Sequence, residues 1–149
     1  MSTLEIGAIV TLFVITWFVT GFLVSAIGGW WELGEHYRTQ HAPPLHVSRW
    51  KSGRMGGLTN YNNVLTIGAD PHGLFLHMPK LFRVGHPDLF IPWTDIAAEP
   101  RRRLFGPRVR LNFTRTKGVY LELREELAGE LLHAGDQSTA PHGHRAYAQ

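Results

Sequence analysis

The sequence predicts one N-terminal transmembrane α-helix followed by a small, mainly-β domain with a C-terminal helix. Three observations carry this reading. Residues Ile6 to Gly29 contain no Asp, Glu, Lys, Arg or His. From Asn63 to Leu123 the apolar residues recur with a period of two, the signature of strands. From Arg124 the spacing becomes helical, with Leu127 and Leu131 one turn apart. The expected organisation is an anchor over 1–29, an interfacial helix and linker over 30–47, a β domain over 48–135 and a polar tail over 136–149.

The apolar run is long enough to cross a hydrocarbon core of about 30 Å as a helix. Thr11, Thr16 and Thr20 can bond back to the helix backbone and so do not prevent insertion. Val24-Ser25-Ala26 has the small-residue pattern of a signal-peptide cleavage site. The run is longer than a signal core, however, and no basic residue precedes it, which favours a retained anchor. Trp30 and Trp31 follow directly, where an interfacial aromatic belt is expected. Only Glu5 is charged before the run, whereas Arg38, Arg49, Lys51 and Arg54 come after it. The positive-inside bias then predicts a single-pass protein of the cytoplasmic membrane, N-terminus outside and domain in the cytoplasm.

Gly21, Ser25 and Gly29 recur every four residues. Such a ridge of small side chains lets another helix approach closely, so it is the expected helix-packing face for a partner in the membrane. Gly21→Leu or Ser25→Leu is then expected to weaken assembly.

Beyond the anchor, Trp30, Leu33 and Tyr37 share helical spacing, and His41-Ala42-Pro43-Pro44 ends that segment. Asn63 to Gly68 reads as a strand and Asp70-Pro71-His72-Gly73 as a turn, because proline presets φ and glycine accepts positive φ. Gly73 to His77 returns. Leu89 to Trp93 is a short strand whose proline suggests an edge. Arg108 to Thr114 and Gly118 to Leu123 alternate cleanly. A hairpin centred near Thr116 sets Leu111 against Leu121 and Arg110 against Glu122. Trp93 and Phe113 are expected to be buried and Arg110 exposed. Gly135 is the expected stop of the last helix. The tail has almost no apolar content, which predicts disorder without a partner.

Tyr61-Asn62-Asn63-Val64-Leu65-Thr66-Ile67-Gly68, Gly73-Leu74-Phe75-Leu76 and His86-Pro87-Asp88-Leu89-Phe90-Ile91-Pro92-Trp93-Thr94-Asp95-Ile96 resemble small bacterial PH-like (GRAM-like) proteins of uncharacterised function. In those a glycine-leucine-aromatic-leucine strand precedes an isoleucine-proline-tryptophan segment. Gly29-Trp30 with Leu33 and Tyr37 is similar to their lead-in. The similarity runs from about Trp30 to Leu132 through short motifs. It implies a PH-like barrel with a C-terminal helix that binds lipids or proteins, and it implies no catalytic residues.

Candidate chemistry is sparse. The chain has no cysteine, which removes disulfides, thiolate metal sites and cysteine nucleophiles. None of the nine histidines sits in a His-Glu-x-x-His arrangement. No metal and no cofactor is expected, although His36, just past the membrane run, is a conceivable pigment or haem ligand. Ser48 and Ser52 lack a nucleophile elbow. Gly53-Arg54-Met55-Gly56-Gly57 lacks the Lys-Ser/Thr ending of a phosphate loop and reads as a turn. Asp95 and Glu99 form an unsupported carboxylate pair. The chain is not expected to be an enzyme.

The charge is +3, too small and too local for nucleic acid. It is concentrated in Arg101, Arg102, Arg103, Arg108, Arg110, Arg115 and Lys117, with no acid among residues 101–117. This cluster suits an anionic leaflet, an acidic partner surface, or a solvated face balanced by Glu122, Glu125, Glu126 and Glu130. The expected role is a non-catalytic accessory or scaffold subunit of a larger membrane complex, photosynthetic or respiratory among the candidates. A stand-alone module binding anionic lipid headgroups is the alternative. Membrane lipids and partner helices are the expected contacts; a small-molecule ligand is not.

Overall fold

The computed structural model describes residues 2–44 and 46–136. The expected polar tail beyond Asp136, with His142 and His144, lies outside the described residues.

Helix α1 spans Thr3–Gly28. Ser2 and Glu5 form a capping box: the Ser2 hydroxyl accepts from the Glu5 amide, and the Glu5 carboxylate accepts from the Ser2 amide. The helix has a mean hydropathy of 2.2 over its most apolar window, none of which is buried. Its apolar character runs all round rather than along one stripe, as suits a lipid-facing helix. At 1.5 Å per residue it is about 39 Å long, enough to cross a membrane. Gly29, with φ +82°, takes the left-handed cap conformation that favours glycine. The chain turns there and continues as α2, Trp30–Tyr37.

Helix α2 departs from the expected interfacial segment. Its stripe of Trp30, Leu33 and Tyr37 is buried in the domain core. Trp30 is therefore not an interfacial tryptophan. The turn at Gly29 folds its ring under the sheet, where its indole N–H donates to the Pro87 carbonyl at 2.9 Å. Trp31 points elsewhere: it is exposed and packs edge-on against Phe22 of α1 at 5.4 Å, which keeps it a candidate for the interface.

Seven strands follow, β1 (Val47–Met55), β2 (Thr59–Ala69), β3 (Gly73–His77), β4 (Leu89–Pro92), β5 (Ile96–Arg103), β6 (Gly106–Phe113) and β7 (Tyr120–Arg124), then α3 (Glu125–Asp136). They form one curled antiparallel sheet in the order β4-β3-β2-β1-β7-β6-β5. The sheet, closed by α2 and α3, encloses the core of Leu65, Ile67, Leu76, Ile91, Leu111 and Leu121. The β6–β7 register sets Leu111 against Leu121 and Arg110 against Glu122, as the alternation required. The β2–β3 turn is held by Asp70, whose carboxylate accepts from the His72 and Gly73 amides at 2.7 and 3.0 Å. β4 is an edge strand, so Pro92 at its end interrupts no ladder.

Three local expectations need correction. Gly135 lies inside α3 rather than stopping it, because the helix passes close over Trp93: a Cβ at Gly135 would sit 2.7 Å from the indole ring. Trp93 itself is half-buried, as it lies at the sheet edge, where its N–H donates to the Asp70 carbonyl at 2.8 Å. Arg110 is largely covered rather than exposed. Its guanidinium lies 3.9 Å from the centre of the Tyr120 ring and 3.5 Å from the Glu122 carboxylate.

Candidate functional site

Three features meet where α1 joins the domain: a tight seam, a buried polar cluster and an apolar cleft. The small-residue ridge makes the seam. A Cβ at Gly21 would lie 3.3 Å from Val84 Cβ, and one at Gly29 would lie 2.7 Å from Val119 Cγ2. Ser25 is fully buried, and its hydroxyl donates to the Gly85 carbonyl. The ridge serves close packing, and within this chain the surface it meets is the chain's own domain. The loop between β3 and β4 supplies most of this surface, through Val84 and Gly85. The loop also runs down α1: the Trp17 indole N–H donates to the Leu81 carbonyl at 3.2 Å, and the Trp17 ring packs on Phe82 at 5.7 Å.

Behind the seam lie Trp30, Tyr61 and His86, with ring centroids between 5.1 and 5.7 Å apart. His86 Nδ1 lies 2.7 Å from the Val84 carbonyl, an acceptor only, so that nitrogen carries the proton. Its Nε2 then accepts from the Tyr61 hydroxyl at 3.0 Å. Burial pushes the His86 imidazole below its ordinary range, against the opposing pull of the Val84 carbonyl. Burial also pushes the Tyr61 hydroxyl far up. Both groups are therefore neutral, and no nucleophile or charged partner bonds to them among the described residues. This arrangement clamps the β3–β4 loop to the core. Sequence reasoning missed it, because His86 and Tyr61 show no recognisable spacing and meet only through the fold.

The basic cluster is split by the fold. Glu122 is buried, and Arg103 grips it in a bidentate pair at 3.1 and 3.2 Å while Arg110 lies alongside. Burial raises this carboxyl, but the two guanidiniums outweigh it and hold the group below the usual carboxylate range. Arg101 pairs with Glu99 and Arg115 with Asp95, both at 2.9 Å, so the two carboxylates singled out above have separate cationic partners. Arg102 and Arg108 have no ion pair among the described residues. They flank the β5–β6 turn, where Leu104 and Phe105 are 99% and 94% exposed. That pair of apolar side chains is the part of the site that charge reading alone did not reveal.

Acid should destabilise this domain in two stages. His86 binds protons more weakly folded than unfolded, so stability falls as pH drops below about 6.5. Glu122 has a lowered folded value, so its contribution is present above about pH 4.3 and is lost as pH falls further. Melting temperatures measured from pH 7.5 down to about 2 should show both declines. Glu122→Gln should cost about 1–3 kcal/mol at neutral pH and flatten the lower one. An unaltered lower decline in that variant would assign the acid sensitivity to other carboxylates.

The third feature is a cleft of about 340 Å³ between α1 and the sheet. Thr20, Gly21 and Val24 form its helix wall, Val64 and Met78 its sheet wall, and Phe82 its loop wall. Asn60 and Asn62 add the polar contribution from β2. Elsewhere, His36 is exposed beside Tyr37. No three His, Cys, Asp or Glu side chains among the described residues are placed to hold a metal ion. In comparisons with known proteins, no family model, no curated protein and no solved structure matches this chain.

Proposed function

We propose that this chain is a non-catalytic membrane-anchored module whose β domain lies against an anionic leaflet. In this reading α1 spans a bacterial cytoplasmic membrane and the domain is cytoplasmic. The PH-like relationship belongs to the same proposal, and a curled antiparallel sheet closed by a C-terminal helix is compatible with it.

The observation that carries the proposal is the β5–β6 hairpin tip. Leu104 and Phe105 bury nothing within their own domain and are bracketed by Arg101, Arg102 and Arg108. Burying a Leu or Phe contributes about 1.5–3 kcal/mol each, against about 1 kcal/mol for each arginine near an anionic surface. The apolar pair therefore dominates the attachment, and the arginines select the charge of the surface.

The test uses the full chain. It contains no cysteine, so Leu104→Cys carries a single environment-sensitive fluorophore. In lipid nanodiscs the label should shift to the blue with anionic lipid and less with neutral lipid. Raising salt from 0.1 to 1 M shortens the Debye length from about 10 to about 3 Å, which should reduce that difference without restoring a water-like spectrum. A water-like spectrum in both lipids at low salt would remove the lipid reading. An accessory role, with the tip seated in an acidic partner, would then require chains that co-purify stoichiometrically in mild detergent.

A further inference from the structure

We propose that the cleft between α1 and β2 holds one acyl chain of a phospholipid from the surrounding leaflet. The inference rests on α1 lying in the membrane, as set out above, but concerns a different site from the hairpin tip.

The cleft has walls of two origins. Thr20, Gly21 and Val24 belong to the stretch of α1 that is apolar enough to span, so this wall sits at hydrocarbon depth. Val64 and Met78 belong to the domain and are apolar too. A soluble domain docked on a membrane helix would ordinarily leave such a gap filled by its own side chains. Here Gly21 keeps the helix wall low, and Ser25, one turn further along α1, pins the loop at Gly85, which closes that end of the cleft.

The rim supports a lipid as the occupant. Leu81, beside the cleft, is 64% exposed, a disposition suited to contact with neighbouring chains. Asn60 and Asn62 are exposed on β2 and supply hydrogen-bonding groups for an ester or headgroup. Lys80, next to Leu81, is exposed and has no ion pair among the described residues, whereas Arg83 is already paired with Asp88 at 2.8 Å. Lys80 is the free cation of this loop for a phosphate. The volume is at the small end of ligand cavities, which run from about 300 to 1,000 Å³, and suits part of one chain rather than a rigid polycyclic molecule.

Photocrosslinking of the full chain in nanodiscs tests this, with a phosphatidylglycerol carrying a diazirine midway along one acyl chain. Mass spectrometry should find adducts on Val64 or Met78 of the sheet wall as well as on the outer faces of α1. Thr20→Trp, which fills the cleft, should reduce the sheet-wall adducts at least five-fold and leave those on α1 unchanged. Val64→Trp fills the same space from the opposite wall and should likewise abolish adducts at Met78. Adducts confined to the outer faces of α1 would overturn the cleft proposal while leaving the anchor intact. Sheet-wall adducts that persist in both folded variants would overturn it as well. No adducts on α1 at all would overturn the membrane reading itself.

Discussion

Trp30→Ala should remove a large share of the domain's stability. The ring is fully buried between Tyr61 and His86, and its N–H is the donor to the Pro87 carbonyl. Truncating a buried tryptophan costs about 3–5 kcal/mol. The total for a domain is about 5–15 kcal/mol, and each kcal/mol moves the midpoint of a domain this small by about 4–8 °C. A fall of about 12–40 °C is therefore expected, or no cooperative transition at all. Trp31→Ala is the control. Its ring is exposed and touches only Phe22 among the aromatic contacts described, so its effect on melting should be within about 0.5 kcal/mol. If Trp31→Ala proved the more damaging change, the assignment of Trp30 to the core would be wrong.

Ser25→Leu should detach the domain from its anchor without expelling the anchor from the membrane. The substitution removes the donor to the Gly85 carbonyl, leaving it unpaired at about 1–3 kcal/mol. It also forces a larger side chain against Gly85, where an added Cβ would already lie 3.2 Å from Ser25 Cβ; overpacking of this kind costs about 1–3 kcal/mol more. The helix becomes more apolar, so insertion is preserved. Hydrogen exchange at Leu81 to His86 should accelerate by about 30-fold or more, because about 2 kcal/mol is the least of the combined costs. The core strands β2 and β7 should keep their protection. Unchanged exchange in the loop would show that the seam contributes little, and would return the ridge to the role of a face for another helix.

Much of the fold was legible because it depends on local periodicity. The absence of charge from Ile6 to Gly29 sufficed for α1, and strict alternation from Arg108 to Leu123 fixed a register that places Arg110 beside Glu122. Position relative to the rest of the molecule was not legible. Trp30 and Trp31 are neighbours in an aromatic pair, and nothing in that pair indicates that one enters a core while the other stays outside. The ridge of Gly21, Ser25 and Gly29 announced close packing, but a ridge does not encode what packs on it. Its counterpart within this chain, Val84 and Gly85, is a loop some 60 residues away with no periodicity of its own. The basic run was visible as charge. Which arginines are free depended on Glu122 being buried between two of them, a fact set by the curl of the sheet.

The contact between Trp17 and Leu81 has a consequence for the bilayer itself. From Thr3 to Thr16, α1 is exposed on every side; at Trp17 the domain begins. Fourteen residues at 1.5 Å each give about 21 Å of unencumbered helix, well short of a hydrocarbon core of about 30 Å. If α1 spans a membrane as proposed, the remaining thickness is made up alongside the β3–β4 loop, which carries the apolar Leu81 and Phe82 against Trp17. On that reading the protein carries a hydrophobic mismatch on one side of its helix and none on the other. Such one-sided mismatch favours tilt toward the domain or local thinning beneath it, at a cost of fractions of a kcal/mol per Å. Thin bilayers should therefore accommodate this chain more readily than thick ones.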